Sequence, residues 1–228
     1  MDNLALYLVF LVPPLLLGLG VQAWLKKTFG TYSNVPLSNG LNGARVAREM
    51  LDRNGLDEVP VEMAPGGPLS DHYDPRKRAL FLSEPVYTPA SVAAAAVAAH
   101  ETGHALQHAG GYAPLRLRSA MFPVVAFASN IWIWLLLAGA FLNALGLVAV
   151  ALVLYGAAVA FHLVTLPVEF NASSRAAQQL RTLGLVTADE QAGVKKVLTA
   201  AALTYVAGAL AALTQLLYYL IVFFGNRD

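Results

Sequence analysis

The chain has 228 residues, 57% of them hydrophobic and only 13% charged, roughly half the charged share of an ordinary soluble domain, with a mean hydropathy of +0.56. This composition excludes a protein that hides its apolar residues in one water-facing core and calls for lipid around part of it. Fifteen Lys and Arg against fourteen Asp and Glu leave a net charge of +1, so nothing in the balance points to nucleic acid, and the absence of cysteine excludes disulfides and thiolate metal ligands.

The first apolar stretch, Leu4 to Leu25, carries no Asp, Glu, Lys or Arg and is long enough for a bilayer, which takes about 20 helical residues. Val21-Gln22-Ala23 resembles a signal-peptidase site, but the only charge before the run is Asp2, whereas a secretory signal has a positive leading region. The sequence therefore predicts a retained span, residues 1–25. Lys26 and Lys27 follow it directly and, by the positive-inside rule, place that end in the cytoplasm.

Residues 26–120 form the expected cytoplasmic catalytic segment. Turn-prone Ser38-Asn39-Gly40 precedes a helical spacing of Leu41, Val46, Ala47, Met50 and Leu51 that closes at Asn54-Gly55. Val59 to Met63 and Arg78 to Leu82 read as two strands, with Ala64-Pro65-Gly66-Gly67-Pro68 and Asp71-His72-Tyr73-Asp74-Pro75 as turns between them. A helix then starts near Ala90 or Ser91, with Ser91 or Thr88 as cap, and runs to about residue 109. Its apolar run before His100 is about nine residues, and even 10 to 14 would be more typical of a packed helix than of a span.

That helix carries His100-Glu101-Thr102-Gly103-His104. Residues four apart share a helix face, so both imidazoles can aim at one metal with the carboxylate beside them as base. With five histidines and seven glutamates in the chain, about 0.003 such matches arise by chance. Catalytic zinc keeps three protein ligands and an open position, so a third donor is needed. A metzincin would place a histidine at position 110, which is glycine. His108 can face the same side, but three ligands on successive turns of one straight helix converge poorly, which leaves it a surface or supporting role.

Phe122 to Phe141 and Leu145 to Leu166 are the next uncharged apolar stretches, joined through Asn143 and Gly146. They predict a hairpin over residues 121–167 whose outer ends share the cytoplasmic side. Glu169 follows the returning arm, within a second cytoplasmic segment, residues 168–199. A carboxylate beside an apolar span is either solvated or paired; next to a motif lacking a donor, it becomes the leading third ligand. The last span is residues 200–224. Fourteen of the fifteen Lys and Arg fall in the two cytoplasmic segments, leaving Arg227 beyond the last span, as the topology requires.

Glu169-x-x-Ala172-Ser173 resembles the Glu-x-x-Ala-Asp segment of membrane gluzincins such as the HtpX and CAAX-prenyl-protease families, with Ser173 where those families have Asp. Asp71-His72-Tyr73-Asp74-Pro75, the run from Val97 to His108, and Pro167-Val168-Glu169-Phe170-Asn171-Ala172-Ser173-Ser174-Arg175-Ala176 resemble the YugP-like zinc-dependent membrane metallopeptidases, and length and span order agree over essentially the whole chain. The fold expected is mainly α, with about four transmembrane helices and a small α+β cytoplasmic zincin-like segment carrying the motif helix. The resemblance implies Zn2+ held by His100, His104 and Glu169, the last as third ligand, and a membrane zinc endopeptidase of gluzincin type in a bacterial-type plasma (inner) membrane.

In that chemistry Glu101 takes a proton from water and returns it to the leaving amine. His72 and Tyr73 are candidate oxyanion donors, against a turn satisfied by solvent or backbone. Arg175 is read as a partner of Glu169 or of a substrate carboxylate, against a lipid-headgroup or helix-end contact. His162, inside a span, is read as a support for the metal or a helix-to-helix hydrogen bond. The strand ending near Leu82 is expected to align an extended peptide. Expected partners are a peptide or protein substrate, membrane proteins included, and the bilayer; the sequence leaves oligomeric state open. Two alternatives remain: a non-catalytic zinc-binding scaffold, which has no need of Glu101, and a site-2-type intramembrane protease, which needs the motif helix in lipid.

Overall fold

Helix-forming residues do not stop where hydropathy does, and the long helices follow. The structure, a computed structural model, describes residues 3–225; Asp2 and Arg227, used in the topology argument, lie outside the described residues. Four helices are long and apolar enough to cross a membrane: α1 (Asn3–Ser33), α5 (Ala113–Phe141), α6 (Leu145–Thr182) and α7 (Ala188–Gly225). Each overruns the apolar stretch expected of it. α1 continues past Lys26 and Lys27 to Ser33, and α6 continues past Leu166 through Ala172, Ala176 and Ala177, because these residues favour helix as strongly as the apolar ones before them. At 38 residues, α6 is about 57 Å long, nearly twice a hydrocarbon core of about 30 Å. Asn143, at φ 51°, turns the chain between α5 and α6, a left-handed position that Asn tolerates.

The chain divides into two units. The first gathers Met1–Val21, Pro114–Pro167 and Thr204–Asp228. Within it Trp132, Tyr155 and Tyr219 cluster, and the polar ends are satisfied internally: the Tyr155 hydroxyl donates to Gln215 Oε1 at 3.1 Å and Gln215 Nε2 donates to the Tyr219 hydroxyl at 3.2 Å. His162 of α6 lies beside Gly208 of α7.

The second unit, Gln22–Ala113 and Val168–Leu203, holds the motif. α2 (Gly43–Asp52) is the expected amphipathic helix, capped by Asn42, whose Oδ1 accepts from Arg45 N at 2.9 Å. A three-stranded sheet follows, β1 (Val61–Met63), β2 (His72–Asp74) and β3 (Ala79–Leu82), in the order β1-β3-β2. β1 runs parallel to β3 with Val61 opposite Leu80, and β2 runs antiparallel to it with His72 opposite Phe81. Two expectations change here. The segment read as a turn at Asp71 to Pro75 contains a strand, since only three residues are needed where a neighbour supplies the ladder. β3, expected to align substrate, is the central strand with both edges paired, so β1 and β2 are the edge strands. A short helix, α3 (Glu84–Tyr87), also precedes the motif helix.

α4 (Val92–Ala109) starts as the sequence predicts, with Ser91 Oγ accepting from Ala94 N at 3.2 Å. Ala93, Ala95, Ala96 and Ala99 sit in one core with Val46, Met50, Ala176, Leu180, Val194 and Val197. The alanines are thus explained by close packing, and α4 is not one of the four candidate spans.

Candidate metal centre

Two helices bring the candidate ligands together. Backbones must approach closely for a glutamate on one helix to reach histidines on another, and Gly103 of α4 permits it: a Cβ there would stand 2.6 Å from the Ala172 carbonyl oxygen of α6. Glu169 Oε2 lies 3.1 Å from His100 Nε2 and 3.6 Å from His104 Nε2. One ligand atom from each of the three residues falls within 4.8 Å of the others. The imidazoles stand almost perpendicular, at 85°, with centroids 4.8 Å apart.

These residues fit zinc. Two imidazole nitrogens and a carboxylate oxygen are a zinc donor set, and ligands at tetrahedral zinc distances lie about 3.3 Å apart, which the two Glu169 separations bracket. Glu169 is 1% exposed, and a carboxylate so buried requires cationic or metal partners. Each histidine also has a second contact directed away from the cluster, as ligating histidines do: His100 Nδ1 is 3.1 Å from Ser173 Oγ, and His104 Nδ1 is 3.0 Å from Gln107 Oε1. Burial alone would lower the His104 pKa, but its hydrogen bond to Glu169 and the charges of Glu101 and Glu169 outweigh burial and hold it above the ordinary imidazole value.

Glu101 is buried next to the cluster, and its Oε2 accepts from Tyr73 N at 3.1 Å. The strand register explains this bond. Leu80, opposite Tyr73, donates its N–H to Pro60 on the β1 side, so Tyr73 and Leu80 are a non-hydrogen-bonded pair and the Tyr73 N–H points out of the sheet. β2 itself is pinned at its start, where Asp71 accepts from Ser83 N at 2.7 Å and from the Ser83 hydroxyl at 2.9 Å.

The two candidate oxyanion donors fall elsewhere. The Tyr73 hydroxyl shares a 2.9 Å hydrogen bond with His108 Nδ1, and burial raises that phenol's pKa against the pull of Arg78, so it remains neutral at pH 7. His72 Nδ1 donates to the Ser70 carbonyl at 2.8 Å, and its ring stacks on Phe81 at 4.9 Å. Phe81 packs with Ala64 and Ala79, whereas Leu80 and Leu82 pack against Ala98 of α4, so His72 occupies the sheet face turned from α4. Arg175 Nε donates to Asn171 Oδ1 at 2.8 Å. Sequence reasoning missed Gly103, Gln107 and Asn171 as parts of the site; the one available signal was Gln107, an amide one helical turn after a ligand candidate.

A family model described as "Putative neutral zinc metallopeptidase" matches residues 7–224. The Bacillus subtilis (strain 168) protein described as "Putative membrane protease YugP" is 50% identical over 214 residues, covering 92% of this chain and 95% of that protein. No solved structure matches the chain. With nearly its whole length matched, the chain belongs to the family that this model describes.

Proposed function

We propose that the chain is a multi-pass membrane zinc endopeptidase of gluzincin type, with His100, His104 and Glu169 as ligands, that hydrolyses peptide bonds at the cytoplasmic membrane face. The observation that carries this reading is Glu101: a buried carboxylate beside the ligand cluster, with one oxygen held by a strand N–H. A purely structural zinc site needs no such group, which weighs against the scaffold reading. His100, His104 and Glu169 would hold the zinc ion, which when bound would supply Lewis acidity for a water and for the scissile carbonyl. Glu101 takes a proton from the attacking water, and the Tyr73 N–H keeps the accepting carboxylate in place while it does so. The same carboxyl returns the proton to the leaving amine. β2 runs next to Glu101, so an extended peptide lying along it, paired through the Tyr73 carbonyl because the Tyr73 N–H is held by Glu101, brings its backbone to the base, which favours unfolded or flexible segments as substrates.

The test is purification in detergent, zinc quantification, and cleavage of casein and of membrane proteins. Glu101→Gln is expected to retain zinc while losing roughly 10²- to 10⁴-fold in rate; undiminished cleavage overturns the mechanism. Glu169→Ala is expected to lower zinc occupancy, and unchanged occupancy removes it from the ligand set. Because the chain has no cysteine, a single Lys27→Cys variant reports sidedness: labelling only from the cytoplasmic side supports the assigned face, and labelling only from outside reverses it.

A further inference from the structure

Gln107 is fully buried between the two ligand-bearing helices, and every hydrogen bond it makes is directional. Arg175 Nε can only donate, and it donates to Asn171 at 2.8 Å, so Asn171 presents its oxygen. Gln107 faces that oxygen at 3.0 Å and the Val168 carbonyl at 2.8 Å. Both are acceptors, so Gln107 must present its NH2 group to them and its oxygen to His104. An amide oxygen only accepts. His104 Nδ1, 3.0 Å from Gln107 Oε1, therefore carries the hydrogen, and the lone pair of the neutral ring is left on Nε2, the nitrogen that faces Glu169.

From this chain of one-way bonds we infer that Gln107 is a positioning residue that selects the His104 tautomer presenting Nε2 to the metal. The selection starts at the Val168 carbonyl, which Gln107 contacts directly, and at Arg175, which acts through Asn171, and with the amide shielded from solvent no water can reverse it. His100 has no such lock. Its Nδ1 faces the Ser173 hydroxyl, which can donate or accept. The two histidines of the motif are therefore held unequally: His104 is locked in one tautomer, and His100 is adjustable.

This inference rests on the reading of the cluster as a zinc centre, and it is tested on the full-length protein in detergent with histidines labelled with ¹⁵N. Loaded with ¹¹³Cd, the wild type is expected to show a protonated Nδ1 on His104 and metal coupling through its Nε2; coupling through Nδ1 overturns the inference. Competition against a chromophoric chelator then compares two variants. Gln107→Met removes the acceptor and is expected to weaken zinc binding roughly 10- to 100-fold. Gln107→Glu loses the donors to Val168 and Asn171 but keeps an acceptor for His104, and is expected to hold zinc within a few-fold of wild type despite a lowered unfolding temperature. A merely structural Gln107 would make the two variants lose zinc equally, which also overturns the inference. If Gln107→Met does not fold, the wild-type spectrum alone decides. A wild-type protein that takes up neither zinc nor cadmium defeats the zinc-centre reading itself, whereas cadmium bound through Nδ1 defeats only the role of Gln107.

Discussion

Gly103→Ala tests whether helix proximity makes the site. The added Cβ would sit 2.6 Å from the Ala172 carbonyl oxygen and 3.2 Å from its carbonyl carbon, about 0.8 Å short of the 3.4 Å where ordinary contact begins. Both neighbours are backbone, so no side chain can swing aside, and α4 and α6 must part by most of that amount. Overpacking of this kind costs about 1–3 kcal/mol. Ligand positions are set to within about 0.2 Å, so a shift several times larger, applied between His100 and His104 on one helix and Glu169 on the other, is expected to weaken zinc binding by at least tenfold. The assay is chelator competition together with thermal unfolding with and without zinc. Gly18→Ala, where a Cβ would meet nothing within 4 Å, is the control and is expected to behave as wild type. Wild-type zinc affinity in Gly103→Ala would refute the argument that this close approach assembles the centre.

Three further outcomes follow from the same contacts. Ser173→Asp gives His100 Nδ1 an acceptor in place of a hydroxyl that can face either way, and should tighten zinc binding, while Ser173→Ala should weaken it roughly tenfold; the reverse order in a competition titration would contradict the assigned orientation. Because His104 titrates above its ordinary 6.5, and zinc needs the ring unprotonated, zinc affinity should begin to fall while the pH is still above 6.5. The zinc-free protein should show the opposite trend, since the stabilisation from protonated His104 is complete below pH 6.5 and is lost as pH rises through the raised value; unfolding temperatures across the pH range, with and without zinc, measure both. Tyr73→Phe removes only the hydroxyl shared with His108 and keeps the N–H held by Glu101, so it should cost about 1 kcal/mol of stability with zinc content unchanged, and zinc loss would show that the phenol matters to the centre.

The candidate cluster was legible because its chemistry is written in residue types: His100 and His104 share a helical spacing with Glu101 beside them, and Glu169 is a charge at the edge of an apolar run. The four spans were legible for the same reason, as long uncharged stretches. Helix ends were not, because Lys26-Lys27 and the segment after Pro167 change hydropathy without changing helix propensity. β2 was hidden because Asp71, Asp74 and Pro75 are turn formers, and the strand between them exists only through pairing with β3. The place of His72 on the far sheet face was equally invisible, since one residue of register decides which face a side chain takes. Gln107 could be seen but not interpreted: its role depends on where Val168 and Asn171, more than sixty residues away, present their oxygens.

The alanine run of α4 bears on why these parts converge. Ala93, Ala95, Ala96 and Ala99 are all buried, and Ala176 of α6 lies in the same core, together with the larger Val92 and Leu180, so small side chains make up much of the packing around the point where Gly103 brings the backbones closest. A helix pair spaced by leucines would leave Glu169 too far from both imidazoles, because a glutamate side chain spans only a few bonds. The close approach at Gly103 therefore sets the distance between the candidate ligands, while Glu101 is held by a different element, the edge strand pinned through Asp71 and Ser83. The spacing of the candidate ligands and the placement of Glu101 thus rest on separate contacts: under the proposed function, helix packing would control whether a metal stays, and the sheet would control whether the carboxylate beside it is aimed.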